Sequence, residues 1–351
     1  MYGVRARAAA LRGWGGVGAM AVLCALALAF ALLLPRTQAP AGAHTGARAG
    51  AAGGTGVAEG RQTRAEKCTD DNAQDLTPAP SGADGAVVDA IKSRTGAKRK
   101  LIVGVDQNSY RWGYRNPNSA GAELEGFDID LAHRIARDVL GDPDAVQFKA
   151  IPTSQRISAL QEGRVDLVVR TMTINCDRLG QVAFSAPYFR TGQQLLAPRS
   201  AAVTGYNAAS LDGRRICVAS GSTAYAKLKG DLDAGRLPGG TTAVTVPNQL
   251  DCLVRLQLGE ADVVITDGAL AASQAAQDPT LELKGDAFTT EFYGVAMRRG
   301  ATDLVRRVNR VLADYRDNGW QASYDKWLSA TLGEDSGPSK PPAPKYLGAA
   351  G

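Results

Sequence analysis

Residues 156–169, RISALQEGRVDLVV, and residues 252–265, CLVRLQLGEADVVI, repeat one pattern. Each stretch predicts a helix that runs through Leu-x-x-Gly-x-x-Asp into a buried apolar strand. Because the same unit occurs twice, we expect two similar lobes, each with its own sheet. Asp166 and Asp262 occupy equivalent places in the two units, which favours a structural role at the turn for both.

Strands alternate with helices on either side of this repeat. Predicted strands cover 100–106, 146–152, 167–171, 214–220, 241–247, 263–266 and 291–297, and predicted helices cover 87–94, 127–140, 156–166, 222–232, 249–262 and, as two helices, 301–328. Such alternation is typical of an α/β protein whose mostly parallel sheets are flanked by helices. Ligands bind beyond the carboxyl ends of such strands, so we expect the loops of two lobes to face each other across a cleft.

Three segments fall outside this pattern. In residues 1–36, three arginines precede the uncharged apolar run 17–34, VGAMAVLCALALAFALLL. This arrangement predicts a signal anchor or a signal peptide, either of which places the remainder outside the cytoplasm. Residues 37–85, which include Cys68, predict a flexible spacer, and residues 333–351 predict a disordered tail. Lobe 1 is then 86–193 with 291–332, and lobe 2 is 194–290.

Composition excludes several classes of function. The 351 residues carry a net charge of only +5, without a run of five Lys or Arg, which favours an ordinary solvated surface over nucleic-acid binding. Only two histidines occur and no Cys-x-x-Cys pair, so we expect neither a metal nor another cofactor. An enzyme is not expected, because no paired carboxylates or nucleophile–base motif is recognisable. The four cysteines after the apolar run predict two disulfides, with three possible connectivities.

Polar side chains follow the predicted strand in 167–178, LVVRTMTINCDR. Thr171 and Thr173 can cap a helix or bind a ligand, and Arg178 can hold a carboxylate through two parallel hydrogen bonds. Helix capping with a surface arginine is the alternative. Arg156 stands near another helix start, after a strand.

The second half of the chain supplies complementary groups. Ser222 and Thr223 form a turn at a helix start, where free amides favour an anion. Asp267 ends a strand, where its carboxylate could hold an ammonium group. In the first half, Tyr110 and Trp112 lie in a polar loop and could either contact a ligand or pack within a lobe. Together these residues complement an α-amino acid, with one arginine left for an acidic side chain.

The order and spacing of LIVGVD, EGFDIDLA, VDLVVRTMTINCDR, AFSAPYF, GST and ITD make residues 98–332 resemble a known family. This is the family of extracytoplasmic solute-binding proteins of polar amino-acid ABC importers (family 3 type). The resemblance implies a two-lobed periplasmic-binding-protein fold (type II), with two crossover strands near 190–196 and 290–295 as the hinge. The cysteines resemble those of an actinobacterial glutamate-binding subgroup, which implies Cys68 with Cys176 and Cys217 with Cys252.

The resemblance also implies roles for the site residues. Arg178 would hold the α-carboxylate with Thr173, Ser222 and Thr223, while Asp267 would bind the α-ammonium. Arg156 would meet a side-chain carboxylate. The family often has a small residue where this chain has Arg170, which could act as a second side-chain clamp or narrow the pocket.

The expected function is extracytoplasmic binding of L-glutamate or L-aspartate by hinge closure. The protein would act as a monomer and deliver its ligand to ABC permease subunits in the membrane. Two alternatives remain open: a sensor of the same fold that signals through a membrane partner, and a binder of glutamine or asparagine.

Overall fold

Two five-stranded sheets with flanking helices form two lobes in this computed structural model, which describes residues 67–117, 121, 123–334 and 336–347. The described residues belong to one compact unit. The predicted signal segment lies outside the described residues. Among those that are described, no helix has the length and apolar character that a membrane span requires.

Lobe 1 contains the first and last parts of the described chain. Its strands are β1 (Leu101–Val105), β2 (Asn108–Ser109), β3 (Gly113–Arg115), β4 (Leu124–Glu125), β5 (Val146–Ala150), β6 (Leu167–Val168), β7 (Val182–Thr191) and β13 (Glu291–Arg298). Its helices are α1 (Ala86–Lys92), α2 (Phe127–Leu140), α3 (Arg156–Gln161), α4 (Cys176–Leu179), α9 (Thr302–Asn318), α10 (Trp320–Trp327) and α11 (Ser329–Leu332). The sheet order is β5-β1-β6-β13-β7, and β2, β3 and β4 form a small separate sheet.

Lobe 2 contains the middle of the chain. Its strands are β8 (Gln193–Pro198), β9 (Arg215–Ala219), β10 (Thr242–Val246), β11 (Val263–Asp267) and β12 (Leu281–Lys284). Its helices are α5 (Ala208–Leu211), α6 (Thr223–Asp233), α7 (Gln249–Gln257) and α8 (Gly268–Ala275). The sheet order is β10-β9-β11-β8-β12. Short 3-10 turns occupy Ala73–Asp75, Gly96–Lys98, Thr153–Gln155 and Gly337–Ser339.

Both sheets are mixed rather than mostly parallel, which corrects the sequence expectation. In lobe 1, β1 pairs in parallel with β5 and β6, whereas β13 pairs antiparallel with β6 and β7. In lobe 2, β9 pairs in parallel with β10 and β11, whereas β8 pairs antiparallel with β11 and β12. The antiparallel pairs arise because the strands that enter or leave the other lobe run back along each sheet.

The repeated aspartates have the structural role that the sequence favours. Asp166 accepts the amide of Ile102 at 2.8 Å and forms a two-point ion pair with Arg94. Asp262 accepts the amide of Arg215 at 2.8 Å and pairs with the side chain of the same residue. In each lobe the aspartate therefore fixes the entry of a central strand.

The chain crosses between the lobes twice. One crossing joins β7 to β8 at Gly192, and the other joins β12 to β13 through residues 285–290. The two crossings touch, because a Cβ built on Gly192 would lie 2.1 Å from the carbonyl oxygen of Thr289. Gly192 is therefore required by close backbone approach.

Two segments that composition assigned to the flexible spacer and the disordered tail pack on lobe 1. Thr77 is buried and donates its hydroxyl to the carbonyl of Phe184 at 2.9 Å. The amide of Leu347 donates to the carbonyl of Thr77 at 2.8 Å, and Lys345 forms an ion pair with Asp75. The spacer prediction is therefore wrong for residues 67–85, and the tail prediction is wrong for 336–347. Hydrogen bonds and an ion pair hold these segments, and such contacts leave no apolar periodicity in a sequence.

Each lobe carries one disulfide. Cys68 is bonded to Cys176 in lobe 1, and Cys217 is bonded to Cys252 in lobe 2. This is the pairing that the resemblance implies.

Candidate functional site

A cavity of about 10 Å³ lies between the facing loops of the two lobes. Ten residues line it: Arg156, Thr171, Thr173, Arg178, Ser222, Thr223, Ala224, Gln249, Thr266 and Asp267. Seven of these are site residues expected from the sequence. The volume is close to the space that one water molecule needs, so the lobes are in contact around the site.

Lobe 1 presents two arginines to the cavity. Arg156 is the first residue of α3, which follows β5 and the turn Thr153–Gln155. Arg178 lies in α4, where the side chain of Asn175 caps the helix by accepting the Arg178 amide at 3.0 Å. Both guanidinium side chains are buried, at 3% and 7% exposure. Local helix starts therefore direct two cations into the cleft.

These arginines differ from ordinary buried arginines in their partners. Arg156 donates to the carbonyls of Thr153, Arg170 and Gly221, and Arg178 donates to those of Thr173 and Gly221. Across the described ranges, no carboxylate forms an ion pair with either one. Burial lowers the pKa of both, and for Arg156 the positive charge of Arg178 lowers the pKa further. The negative charges of Glu291 and Asp267 raise the pKa of Arg178 and so offset the burial only in part. The site therefore holds two buried guanidinium groups without a carboxylate in direct contact, and an anionic ligand group in contact with them would stabilise their charged forms.

Lobe 2 presents a helix start and a carboxylate. Ser222 caps the 11-residue helix α6 by accepting the amide of Tyr225 at 3.0 Å. Ser222, Thr223 and Ala224 line the cavity, which places the N-terminus of α6 at the cleft. Asp267 ends β11, is 7% exposed and accepts the hydroxyl of Tyr293 at 2.5 Å. Burial raises the pKa of Asp267, and so does the negative charge of Glu291. A bound ammonium group would favour the ionised carboxylate.

Gly221 is the point where the lobes meet. Its carbonyl accepts Arg156 at 3.3 Å and Arg178 at 3.1 Å across the cleft. Its φ of 78° is in the left-handed region, and a Cβ there would lie 2.7 Å from the Cα of Ser154. Only glycine combines this conformation with so close an approach.

Three of the expected ligand contacts lie outside the cavity lining. Trp112 is fully buried and packs edge-on against Phe127, Phe189 and Tyr293, so its predicted contact with a ligand is wrong and the packing alternative holds. Tyr110 is half-buried and packs edge-on against Tyr114.

Arg170 is the third expected ligand contact that lies outside the cavity lining. It is fully buried and forms an ion pair with Asp106 at 2.7 Å, so its charge is already neutralised within lobe 1. It therefore does not act as a second clamp on a ligand in this arrangement. Its carbonyl instead accepts Arg156 at 3.2 Å and orients that side chain.

Sequence reasoning missed Gln249 and Thr266, which line the cavity. Gln249 begins α7 shortly after β10, as Arg156 begins α3 shortly after β5, so a helix start that follows a strand was the signal that could have found it. Thr266 precedes Asp267 in a strand that is buried throughout. No simple sequence pattern distinguishes such a threonine from a core residue.

Asp128 lies outside the cavity lining and hydrogen-bonds Thr171, which lines the cavity on the lobe 1 side. Its carboxylate accepts the amide of Thr171 at 3.0 Å and the hydroxyl of Tyr188 at 2.9 Å. Thr171 has a φ of 41°, a strained value for a residue with a side chain. Asp128 therefore holds Thr171 in position and does not cap α2, whose N-cap is Gly126.

Replacing Asp128 with asparagine is expected to change how stability depends on pH. Burial raises the pKa of Asp128 to about 7, and hydrogen bonds from Tyr188 and Thr171 offset this only in part. The folded state therefore favours the protonated carboxyl, and that contribution is lost as pH rises from about 4 to 7. Asparagine does not ionise, so the stability of the wild type relative to the variant should fall by up to about 1.4 kcal/mol per pH unit in that range. Urea unfolding at several pH values measures this, and parallel curves for the two proteins would contradict it.

Comparisons with known proteins agree with the two-lobed fold. The profile of the family described as "Bacterial extracellular solute-binding proteins, family 3" matches residues 101–330. The chain is 32% identical over 230 residues to the ABC transporter glutamine-binding protein GlnH of Bacillus subtilis, covering 65% of this chain and 81% of that protein. It is 29% identical over 246 residues to the glutamate-binding protein GluB of Corynebacterium efficiens, covering 67% and 80%. A solved structure of the solute receptor for L-cysteine of Neisseria gonorrhoeae matches with a TM-score of 0.66 at 27% identity, covering 74% of this chain and all of that one.

Proposed function

The chain belongs to the bacterial extracellular solute-binding proteins of family 3, and on that premise we propose that it captures a free acidic α-amino acid outside the cytoplasm. L-Glutamate and L-aspartate are the proposed ligands, and an ABC importer is the proposed recipient. Family membership confirms the resemblance that the sequence motifs carry, together with the two-lobed type II fold.

The observation that carries this proposal is the pair of buried guanidinium groups. Among the residues that the structure describes, Arg156 and Arg178 have only main-chain carbonyls as hydrogen-bond acceptors, although both are more than nine-tenths buried. Buried charges in proteins are normally paired. A ligand with two carboxylates supplies one partner for each arginine, and its ammonium group supplies a partner for Asp267.

Each part of the ligand then has a counterpart in the cleft. Arg178 and Thr173 hold the α-carboxylate from lobe 1, while Ser222, Thr223 and the amides of α6 approach it from lobe 2. Asp267 binds the α-ammonium, and Arg156 receives the side-chain carboxylate. In this arrangement the ligand replaces Gly221 as the acceptor for both arginines.

The ligand must enter through a separation of the lobes. A cavity of about 10 Å³ is far smaller than an amino acid. The two crossings at Gly192 and residues 285–290 are the proposed hinge, and ligand binding shifts the population from separated to closed lobes. Permease subunits would recognise the closed arrangement of a monomer.

A neutral amide ligand is the second candidate. The similarity to a glutamine-binding protein favours it, and so does Gln249 in the cavity lining, since its side chain can hydrogen-bond an amide. The charges of the two arginines favour the acidic ligand.

Calorimetry on residues 62–351 with a panel of amino acids at neutral pH tests the proposal. We expect tight binding of glutamate or aspartate, with glutamine and asparagine at least tenfold weaker. Preferential binding of glutamine would support the second candidate. Absence of binding across the panel would overturn the proposal.

A further inference from the structure

Arg170 takes part in a second set of contacts between the lobes, which borders the ligand cavity at Gln249 but in which neither Arg170 nor Asn248 lines the cavity. Its Nη2 atom donates to Oδ1 of Asn248 in lobe 2 at 3.0 Å. Its Nη1 atom donates to the hydroxyl of Thr153 at 3.0 Å, and that hydroxyl donates to Oε1 of Gln249 at 3.1 Å. The amide of Thr153 also donates to the carbonyl of Pro247 at 3.1 Å. The start of α7 is thus joined to lobe 1 by three hydrogen bonds.

The hydrogen bond between Thr153 and Gln249 joins residues at equivalent positions, each three residues before one of the two repeated segments. The hydroxyl of Thr153 and the side chain of Gln249 are 96 residues apart in sequence. Arg156 and Cys252, the first residues of the two repeated segments, are separated by the same distance (252 − 156 = 96). Thr153 and Gln249 are therefore equivalent residues, and the lobes meet here through matching helix starts.

Contacts within lobe 1 fix the orientation of the Arg170 side chain. Its side chain is fully buried, and Asp106 neutralises it at 2.7 Å within lobe 1. Asp106 is itself fixed by the hydroxyl of Ser109 at 3.0 Å. The guanidinium therefore has a set orientation, so little side-chain entropy is lost when it reaches Asn248.

We propose that Arg170 is a closure residue, which stabilises the closed lobes through Asn248 without contacting the ligand. We call Arg170, Thr153, Asn248 and Gln249 the closure contact. This inference rests on the proposed function only in assuming that ligand capture involves lobe closure. Because the bond from Arg170 to Asn248 forms only when the lobes meet, it adds the same factor to the affinity for every ligand.

Asn248→Ser is the variant that isolates this bond. Asn248 also caps α7, as part of a capping box in which Asp251 accepts the Asn248 amide at 3.0 Å. Serine retains helix capping but is too short to keep the bond to Arg170. Asn207→Ser is the matched control, because Asn207 caps α5 of the same lobe by accepting the amide of Ser210, away from the cleft.

Binding to the full-length chain is measured first, by calorimetry and stopped-flow kinetics with glutamate, aspartate and glutamine. A hydrogen bond to a charged group corresponds to about a tenfold factor in an equilibrium constant. We expect Asn248→Ser to raise Kd about tenfold for each ligand by the same factor, through faster dissociation with unchanged association. Asn207→Ser should bind like the wild type. A loss that differs between ligands would overturn the proposal and make Arg170 a specificity contact.

Hydrogen–deuterium exchange of the ligand-free full chain gives an independent readout. The amide of Thr153 is protected only while it is bonded to Pro247 in the other lobe. We expect this amide to exchange about tenfold faster in Asn248→Ser than in Asn207→Ser. Equal exchange in the two variants would overturn the closure contact. This second test needs no ligand, so it stays decisive even if no amino acid binds and the proposed function fails.

Discussion

Replacing Arg178 with alanine is expected to abolish measurable binding of every amino acid. Arg178 directs both Nη atoms at the cleft, where they donate to Thr173 at 2.7 Å and Gly221 at 3.1 Å. A carboxylate held by two charge-assisted hydrogen bonds gains about 3–5 kcal/mol. Loss of that amount weakens binding at least 100-fold, and the loss applies to all ligands because all share the α-carboxylate. Calorimetry at ligand concentrations up to the millimolar range measures the effect.

Two further variants make this result specific. Arg178→Lys keeps the charge but loses the planar two-point geometry, so we expect it to bind with an intermediate affinity. Arg137→Ala removes an exposed arginine of α2 outside the cleft and should bind like the wild type. Thermal unfolding of each variant separates loss of binding from loss of folding. Retained affinity in a folded Arg178→Ala protein would contradict the assignment.

Replacing Arg156 with alanine is expected to change selectivity more than overall affinity. Arg156 is held by the carbonyls of Thr153 and Arg170 in lobe 1, so its guanidinium has a fixed direction toward the cavity. In the proposed arrangement it meets only the side chain of the ligand. We expect affinity for glutamate and aspartate to fall about 100-fold, because a buried carboxylate is left unpaired. Affinity for glutamine and asparagine should fall by less than about tenfold.

Arg156→Gln tests the same point while retaining a polar side chain with two hydrogen-bond donors. Glutamine removes the charge but can still bind an amide or a carboxylate, so the preference should move further toward neutral ligands. Competition between glutamate and glutamine in one titration gives the ratio directly. An equal loss for acidic and neutral ligands in Arg156→Ala would reject the side-chain role.

The sequence predicted the parts of this protein that depend on periodicity or on helix starts. The apolar spacing of Phe127, Leu131, Ile135 and Val139 predicted helix 127–140, and α2 has those bounds with all four residues buried. Arg156, Thr173, Arg178 and Asp267 each follow a strand or begin a helix, and all four line one cavity.

The sequence did not predict whether a given side chain contacts a ligand or packs inside a lobe, because both environments can follow the same local sequence pattern. Trp112 lies in a polar loop, yet three aromatic rings from distant segments surround it. Arg170 belongs to the same motif as Arg178, but only the fold brings it next to Asp106, which precedes it by 64 residues (170 − 106 = 64). Pairing with a distant partner decides whether a buried arginine is available to a ligand, and no local pattern records that pairing.

The placement of the disulfides bears on how the protein moves. One crosslink lies wholly within lobe 1 and the other wholly within lobe 2, so neither bridges the cleft. An oxidising environment therefore restricts the unfolded states of each lobe while the angle between the lobes stays free to change. In the proposed closure, the two crossings at Gly192 and residues 285–290 are the covalent links between the lobes within the described part of the chain, so the rotation would occur there. Under this proposal, a substitution that changes the stability of one lobe need not change the free energy of lobe closure, since each disulfide constrains residues of one lobe only.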